Sequence, residues 1–237
     1  MKRLIPLALV FAASTGPLAA WDLATGAPAP ALEAFHEHFA LAAYAYPRHA
    51  AAPLGVTGFD VWGDVVVAPD FVDEPFAEIA IDGDLTGDLL TFYRVGARKG
   101  LPWGIDLGAA YTRVVGYDLE LASVEVQYAI LDGGPLSPAL SVRATGTRSI
   151  AGDEEYALEQ YGVELLASKG FTVLTPYVGA GIVRSEGRFP RSGDLGVETT
   201  QEIVFAGVVL NLLVPKIAVE VERGETWQAA LRVGFGI

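Results

Sequence analysis

The chain of 237 residues has no cysteine, one methionine and three histidines. Without cysteine there can be no disulfide, thiolate metal site, thiol nucleophile or lipidated N-terminal cysteine. Bases are scarce too: 16 Lys+Arg stand against 29 Asp+Glu, a formal charge of −13. That balance does not suit a surface that must neutralise nucleic-acid phosphates. Charged residues make up only 19% of the chain and hydrophobic ones 51%, which excludes intrinsic disorder. A mean hydropathy of +0.36 is too apolar for an ordinary soluble domain. Yet residues 21–237 hold no uncharged apolar run long enough to cross a bilayer as a helix. The apolar content is instead spread by alternation, as in strands with one face toward lipid and the other polar.

The first twenty residues read as an address. Lys2 and Arg3 precede an apolar run from Leu4 to Ala13, and the segment closes on Leu18-Ala19-Ala20, the pattern of a cleaved secretory signal peptide. With those two bases removed, the charge of −13 becomes −15. Residues 21–54 read as a linker and one amphipathic helix, opened by Pro30 and ended by Pro47. Leu32, Phe35, Phe39, Ala42, Ala43 and Tyr46 make its apolar stripe, with Glu33, His36 and Glu37 off it. Residues 55–237 read as the barrel.

From Gly55 onward the period is two. Strands are predicted at about 55–68, 89–98, 103–115, 118–131, 138–149, 156–167, 172–184, 200–213, 216–222 and 227–237. The third shows the phase best, setting Trp103, Ile105, Leu107, Ala109 and Tyr111 against Gly104, Asp106, Gly108, Ala110 and Thr112. The second is ambiguous, and the eighth is apolar on both faces.

Alternation does not say which face points inward, and a secreted barrel with a greasy cavity would share the period. Three features favour lipid outside. Many strands are 10–14 residues long, enough for a tilted crossing of about 9–11. Trp103, Tyr117, Phe171, Trp227 and Phe235 stand near strand ends, where membrane interfaces favour aromatics. The polar face carries both signs, through Asp106, Glu125, Arg143, Glu164, Glu220 and Arg232, which suits a lumen of paired charges. With a periplasmic N-terminus, the long connections 69–88 and 185–199 both fall outside and the short ones, 99–102, 132–137, 168–171 and 214–215, inside. The fold class is therefore all-β: a closed antiparallel transmembrane β-barrel of about ten strands with an N-terminal amphipathic helix.

Several segments resemble a family of uncharacterised Gram-negative outer-membrane β-barrel proteins. They are Pro53-Leu54-Gly55-Val56-Thr57-Gly58-Phe59-Asp60, Lys99-Gly100-Leu101-Pro102-Trp103-Gly104-Ile105-Asp106, Ser168-Lys169-Gly170-Phe171, and Leu174-Thr175-Pro176-Tyr177 with Gly179. The resemblance runs from about residue 31 to the end. It implies an outer-membrane location and a barrel, and no activity. The chain ends on Ile237, where such barrels usually end in an aromatic, but Phe235 shares its face as a signal for the barrel-assembly machinery.

The chemistry-bearing residues are few. His36, His38 and His49 all precede the first strand, so the wall offers no histidine base for a catalytic triad or dyad. His36 and His38 diverge by about 160° on a helix and cannot share a metal; a solvated helix face is expected. Asp82-Gly83-Asp84-Leu85-Thr86-Gly87-Asp88 matches the first half of a calcium loop, but its twelfth position is Tyr93 where a bidentate glutamate is needed. Asp82, Asp84 and Asp88 thus form a weak divalent-cation candidate in a hydrated outer loop. Gly179 and Gly181 read as room for bulky neighbours across the lumen, and no phosphate-loop or dinucleotide fingerprint occurs.

Ten strands enclose little more than the small barrels that side chains fill, and Arg and carboxylates at that radius pair across the lumen. The helix could sit at the periplasmic mouth, on the inner leaflet or in the lumen; at about 10–12 Å across, it is expected at the mouth. Exposed Phe35 and Phe39 would mark a periplasmic partner there. The expected function is a non-enzymatic structural or surface barrel with a plugged lumen and no cofactor, in contact with outer-membrane lipid and lipopolysaccharide. A narrow passive channel or transporter and a hydrolase using acidic loop residues are the alternatives.

Overall fold

The computed structural model describes residues 20–83, 89–212 and 215–236. Its strands are β1 (Trp21–Leu23), β2 (Phe59–Ala68), β3 (Ile81–Gly83), β4 (Leu90–Gly100), β5 (Ile105–Val114), β6 (Glu120–Asp132), β7 (Ala139–Ala151), β8 (Ala157–Ser168), β9 (Leu174–Phe189), β10 (Leu195–Asn211), β11 (Lys216–Arg223) and β12 (Trp227–Gly236). All but β1 and β3 form one closed antiparallel barrel of ten strands in chain order, with β12 pairing back onto β2. Closure leaves the sheet without free edges. β1 and β3 pair with each other in a small separate sheet.

The barrel's outer face is apolar, and its buried charges face inward. Leu107, Val126 and Val163 are 44%, 47% and 57% exposed, while Asp106, Gln127 and Glu164 are buried. A secreted barrel with a greasy cavity would have the reverse, so that reading is excluded. The register explains why the phase is fixed: Asp60 and Asp64 of β2 lie opposite Arg98 and Arg94 of β4, and Arg232 of β12 lies opposite Asp64. A one-residue slip would turn these charges to the apolar face.

Boundaries differ from the sequence reading where side-chain chemistry changes along a strand. β2 starts at Phe59 because residues 55–58 form a turn, with Gly55 at φ 73° and the Gly58 amide donating to the Gly55 carbonyl. Trp103 sits in a short turn at φ 64° ahead of β5. Most of the expected loop 185–199 is strand: β9 runs to Phe189 and β10 starts at Leu195. Outward residues there are charged, and Arg184 Nη2 pairs with Glu198 Oε2 at 2.8 Å, so the apolar alternation stops while the ladder continues.

The helix is not at the expected mouth, the end where the first wall strand begins. It spans Ala29–Ala43 and lies inside the barrel, at the end where β2 meets β4, β5 meets β6 and β9 meets β10, here the loop end. The opposite end, where Phe59 and Gly236 lie, is the terminal end. The helix fits because Ala40, Ala42 and Ala43 are small where they are wholly buried. Glycines of the wall complete the clearance, since a Cβ at Gly187 would strike His36. Phe35 and Phe39, stacked at 5.0 Å, are fully buried among Trp21, Phe71, Phe76, Tyr156 and Phe189. Burial of each Phe contributes about 1.5–3 kcal/mol.

The expected hydrated loop after β2 is a lid over this aromatic cluster. A single turn at Phe71–Asp73 and a short helix at Ala77–Ala80 drive Phe71 and Phe76 onto Phe35, leaving Asp73 and Glu78 in solvent.

Candidate functional site: the threaded lumen

Beyond Ala43 the chain does not turn back. Residues 44–54 descend the lumen in extended form to the terminal end, with Pro47 excluding further helix. An extended segment with no strand beside it buries backbone groups that need partners, and the wall supplies them. The wall also holds the last turns of the helix, where Gln201, Gln160 and Gln228 donate to the carbonyls of Glu37, Ala40 and Leu41. Arg94 donates to the carbonyls of Ala43 and Tyr44, Arg143 to Ala45, and Arg232 to Pro47 and Arg48. Near the terminal end Gln127 donates to the Ala51 carbonyl, the Ala51 amide donates to Ser168, and the Leu54 amide donates to Asp106 at 3.1 Å.

Side chains of the segment complete the wall's ion pairs. Arg143 joins Glu164 at 2.9 Å and Glu125 at 2.6 Å, and Tyr44 donates its hydroxyl to Glu164 beside Thr145. Gly162 leaves the space that the Tyr44 ring fills. Arg48, in the left-handed region at φ 49°, turns its guanidinium into three carboxylates: Glu222 at 2.7 Å, Asp64 at 3.4 Å and Glu220 at 3.7 Å. Arg232 pairs with Asp60, and Arg98 approaches Asp106 at 3.9 Å.

The structure thus turns Asp106, Glu125, Arg143, Glu164, Glu220 and Arg232 all into the lumen and brings each against the threaded segment or a residue paired with it. Sequence reasoning missed the segment's own contributions, Tyr44, Arg48 and His49, and the wall residues Asp60, Asp64, Arg94 and Arg98. The fourfold spacings Asp60/Asp64 and Arg94/Arg98, each on one strand face, were the available signal. Gly179 makes room for Phe205 and Gly181 for Glu164.

The histidines are not a solvated face. His36 Nδ1 lies 2.7 Å from the Tyr156 hydroxyl, and Ser185 lies 3.3 Å from Nε2, all three fully or almost fully buried. Ser185 stands on β9 beside outward-facing Arg184 and Glu186, beyond the apolar belt. Burial pulls the His36 imidazole pKa down to about 4, against the opposing Ser185 contact. The trio resembles a serine–histidine pair, but a serine hydroxyl buried so completely cannot reach a substrate. His38 is half-buried, with Nε2 3.8 Å from Glu74. His49 accepts from Arg98 Nη1 at 2.7 Å.

Of the cation candidate, Asp82 is exposed on β3 opposite Asp22 of β1, while Asp84 and Asp88 lie outside the described residues. Among the described residues no group of three or more His, Asp or Glu is arranged to hold a metal. At the terminal end a cavity of about 260 Å³ remains between the threaded segment and β9–β12, β2 and β4.

No protein-family model matches the chain, and no curated protein matches it. Among solved structures the chain is similar to the N-terminal β-barrel domain of Pseudomonas aeruginosa OprF, at 14% identity over 77% of this chain and 99% of that one, TM-score 0.35. It is similar to the KdgM porin at 9% identity over 75% of this chain and 98% of that one, TM-score 0.37. It is also similar to Ail, the attachment invasion locus protein of Yersinia pestis, at 8% identity over 76% of this chain and 97% of that one, TM-score 0.30.

Proposed function

We propose that the chain is a non-enzymatic outer-membrane barrel, a structural or surface protein whose lumen is closed by its own N-terminal segment. The observation that carries this reading is the run of wall-to-backbone hydrogen bonds from Glu37 to Leu54, which follows the lumen from the loop end to the terminal end. Ten strands leave no room for both this segment and a water column.

The outward face supports the membrane placement. Apolar side chains cover it between exposed aromatics such as Trp103, Tyr128, Phe171 and Phe235 toward the terminal end and a charged collar toward the loop end. Arg148, Glu159, Arg184, Glu186 and Glu198 make that collar, at the height suited to phosphorylated lipopolysaccharide head groups and their bridging divalent ions. The loop end then faces outward. Phe235, on the outer face of the last strand, is the contact offered to the assembly machinery. A second reading, a narrow conduit that opens when the segment shifts, is favoured by the cavity at the terminal end.

Single-channel recording in planar bilayers tests the closed lumen. The intact chain should give no unit steps above leak; steady steps under resting conditions would overturn this reading in favour of the conduit.

A further inference from the structure

In a chain with 29 acids and 16 bases, the cavity at the terminal end is lined by Arg48, Arg98, Lys216 and Arg232 with a single carboxylate, Asp60. These bases are not equivalent. Arg48 is engaged by Glu222, Asp64 and Glu220. Arg232 is engaged by Asp60 and by two backbone carbonyls. Arg98 is left short: its side chain is only 4% exposed, and the one carboxylate within 4 Å of it, Asp106, is 3.9 Å away. Its Nη1 spends itself on the neutral acceptor His49. Lys216, on the inward face of β11, forms no ion pair with a carboxylate among the described residues.

Neutral donors face the same space. Asn211 Nδ2 donates to Thr175 Oγ1 at 3.2 Å, which leaves the Thr175 hydroxyl hydrogen free for a ligand in the cavity that both residues line. A buried guanidinium with no carboxylate in direct contact is costly, and an anion entering through the open mouth would complete its contacts. Guanidinium, ammonium and hydroxyl donors converging from different strands suit an acceptor with several oxygens. The volume, about 260 Å³, lies just below the roughly 300–1,000 Å³ of small-molecule sites and sets the size of the occupant.

We propose that this vestibule binds a small organic polyanion bearing carboxylate or phosphate groups, held by Arg98 and Lys216 with Thr175 as the neutral donor. The site does not depend on which side of a membrane the terminal end faces, so it stands or falls separately from the closed-lumen reading.

The test uses the purified, folded full chain in detergent, titrated with citrate and separately with inorganic pyrophosphate at constant ionic strength, with chloride as the reference. Tryptophan emission is a built-in reporter, because the Arg232 guanidinium lies 4.5 Å from the centre of the Trp62 ring. A saturable change is expected with citrate, pyrophosphate or both, the pattern assigning the anionic group, and none with chloride. Arg98→Gln and Lys216→Gln should each weaken the apparent affinity about tenfold or more. Lys169→Gln, a base in an exposed turn at the same end, should leave it unchanged. Arg98 is buried and its variant can misfold, whereas Lys216 is half-buried at the mouth, so Lys216→Gln alone decides. A linear response equal to that of chloride, or saturation indifferent to Lys216→Gln, overturns the proposal.

Discussion

Arg48 Nη2 lies 2.7 Å from Glu222 Oε1, and neither side chain is more than 1% exposed. The pair ties the threaded segment to the wall across a surface that water does not reach. Its loss would remove the one cation within 4 Å of all three of Asp64, Glu220 and Glu222. Removing one partner of a buried pair costs about 3–5 kcal/mol, and Arg48→Met should destabilise the barrel by that order in urea unfolding from detergent. Adding Glu222→Gln to it should recover part of the loss. Equal stability of wild type and Arg48→Met would mean that the segment does not sit where the acids are.

Gly162 makes the lumen wide enough for the Tyr44 ring, and any Cβ at that position would overlap it. Gly162→Val should therefore push the segment off Glu164 without touching the outer face. Unit conductance steps should appear while the barrel stays heat-modifiable on gels. A Gly162→Val barrel as silent as the wild type would show that the wall does not contact the segment there.

His36 gives the aromatic cluster a pH dependence with a definite sign. Its pKa when docked is about 4 against an ordinary 6.5, so the released state takes up the proton first. Docking is at full strength above pH 6.5 and weakens progressively as pH falls toward 4. The limiting loss is about 3 kcal/mol. Amide exchange of the helix should accelerate over that window and become flat in His36→Gln. Exchange that slows on acidification would contradict the assignment.

Leu107 points outward and Gly108 inward on β5. Leu107→Arg should cost about 2–4 kcal/mol in lipid near the bilayer midplane. Gly108→Arg should act instead by crowding Glu125, the side chain a Cβ there would meet. It should be partly relieved by shortening that acid with Glu125→Ala. Identical responses of the two variants in liposome refolding would reverse the face assignment.

The faces of the wall strands were legible where apolar residues such as Leu107, Val126 and Val163 alternate with Asp106, Gln127 and Glu164. The two strands that resisted, at 89–98 and 200–213, did so for one physical reason. The lumen is apolar where the helix and the Tyr46 ring dock and ionic elsewhere along the extended segment. Leu90 and Phe92 therefore face the helix from inside, and Ile203, Phe205 and Val209 join Leu41 and Tyr46 in an inner cluster. Inward apolar residues erase the contrast between faces. The position of the helix was not legible, because its stripe of Leu32, Phe35 and Phe39 fits any apolar surface. Only Gly187 on the wall and Gly224 in a turn, which clear His36 and Leu41, mark the place it takes. The burial of His36 is not legible locally, because Tyr156 and Ser185, which bury it, are more than a hundred residues away.

The position of the N-terminal segment can be tested directly because the chain has no cysteine. A Cβ at Gly224 would lie 3.2 Å from Leu41 Cγ, within the approach that a disulfide between these positions needs. Gly224 is in the β11–β12 turn at the loop end, so a helix at the terminal end cannot reach it. The double variant Leu41→Cys/Gly224→Cys should close a disulfide under mild oxidation in the folded barrel and shift its mobility on non-reducing gels. A folded, heat-modifiable barrel whose two thiols stay free under those conditions would contradict the threaded lumen.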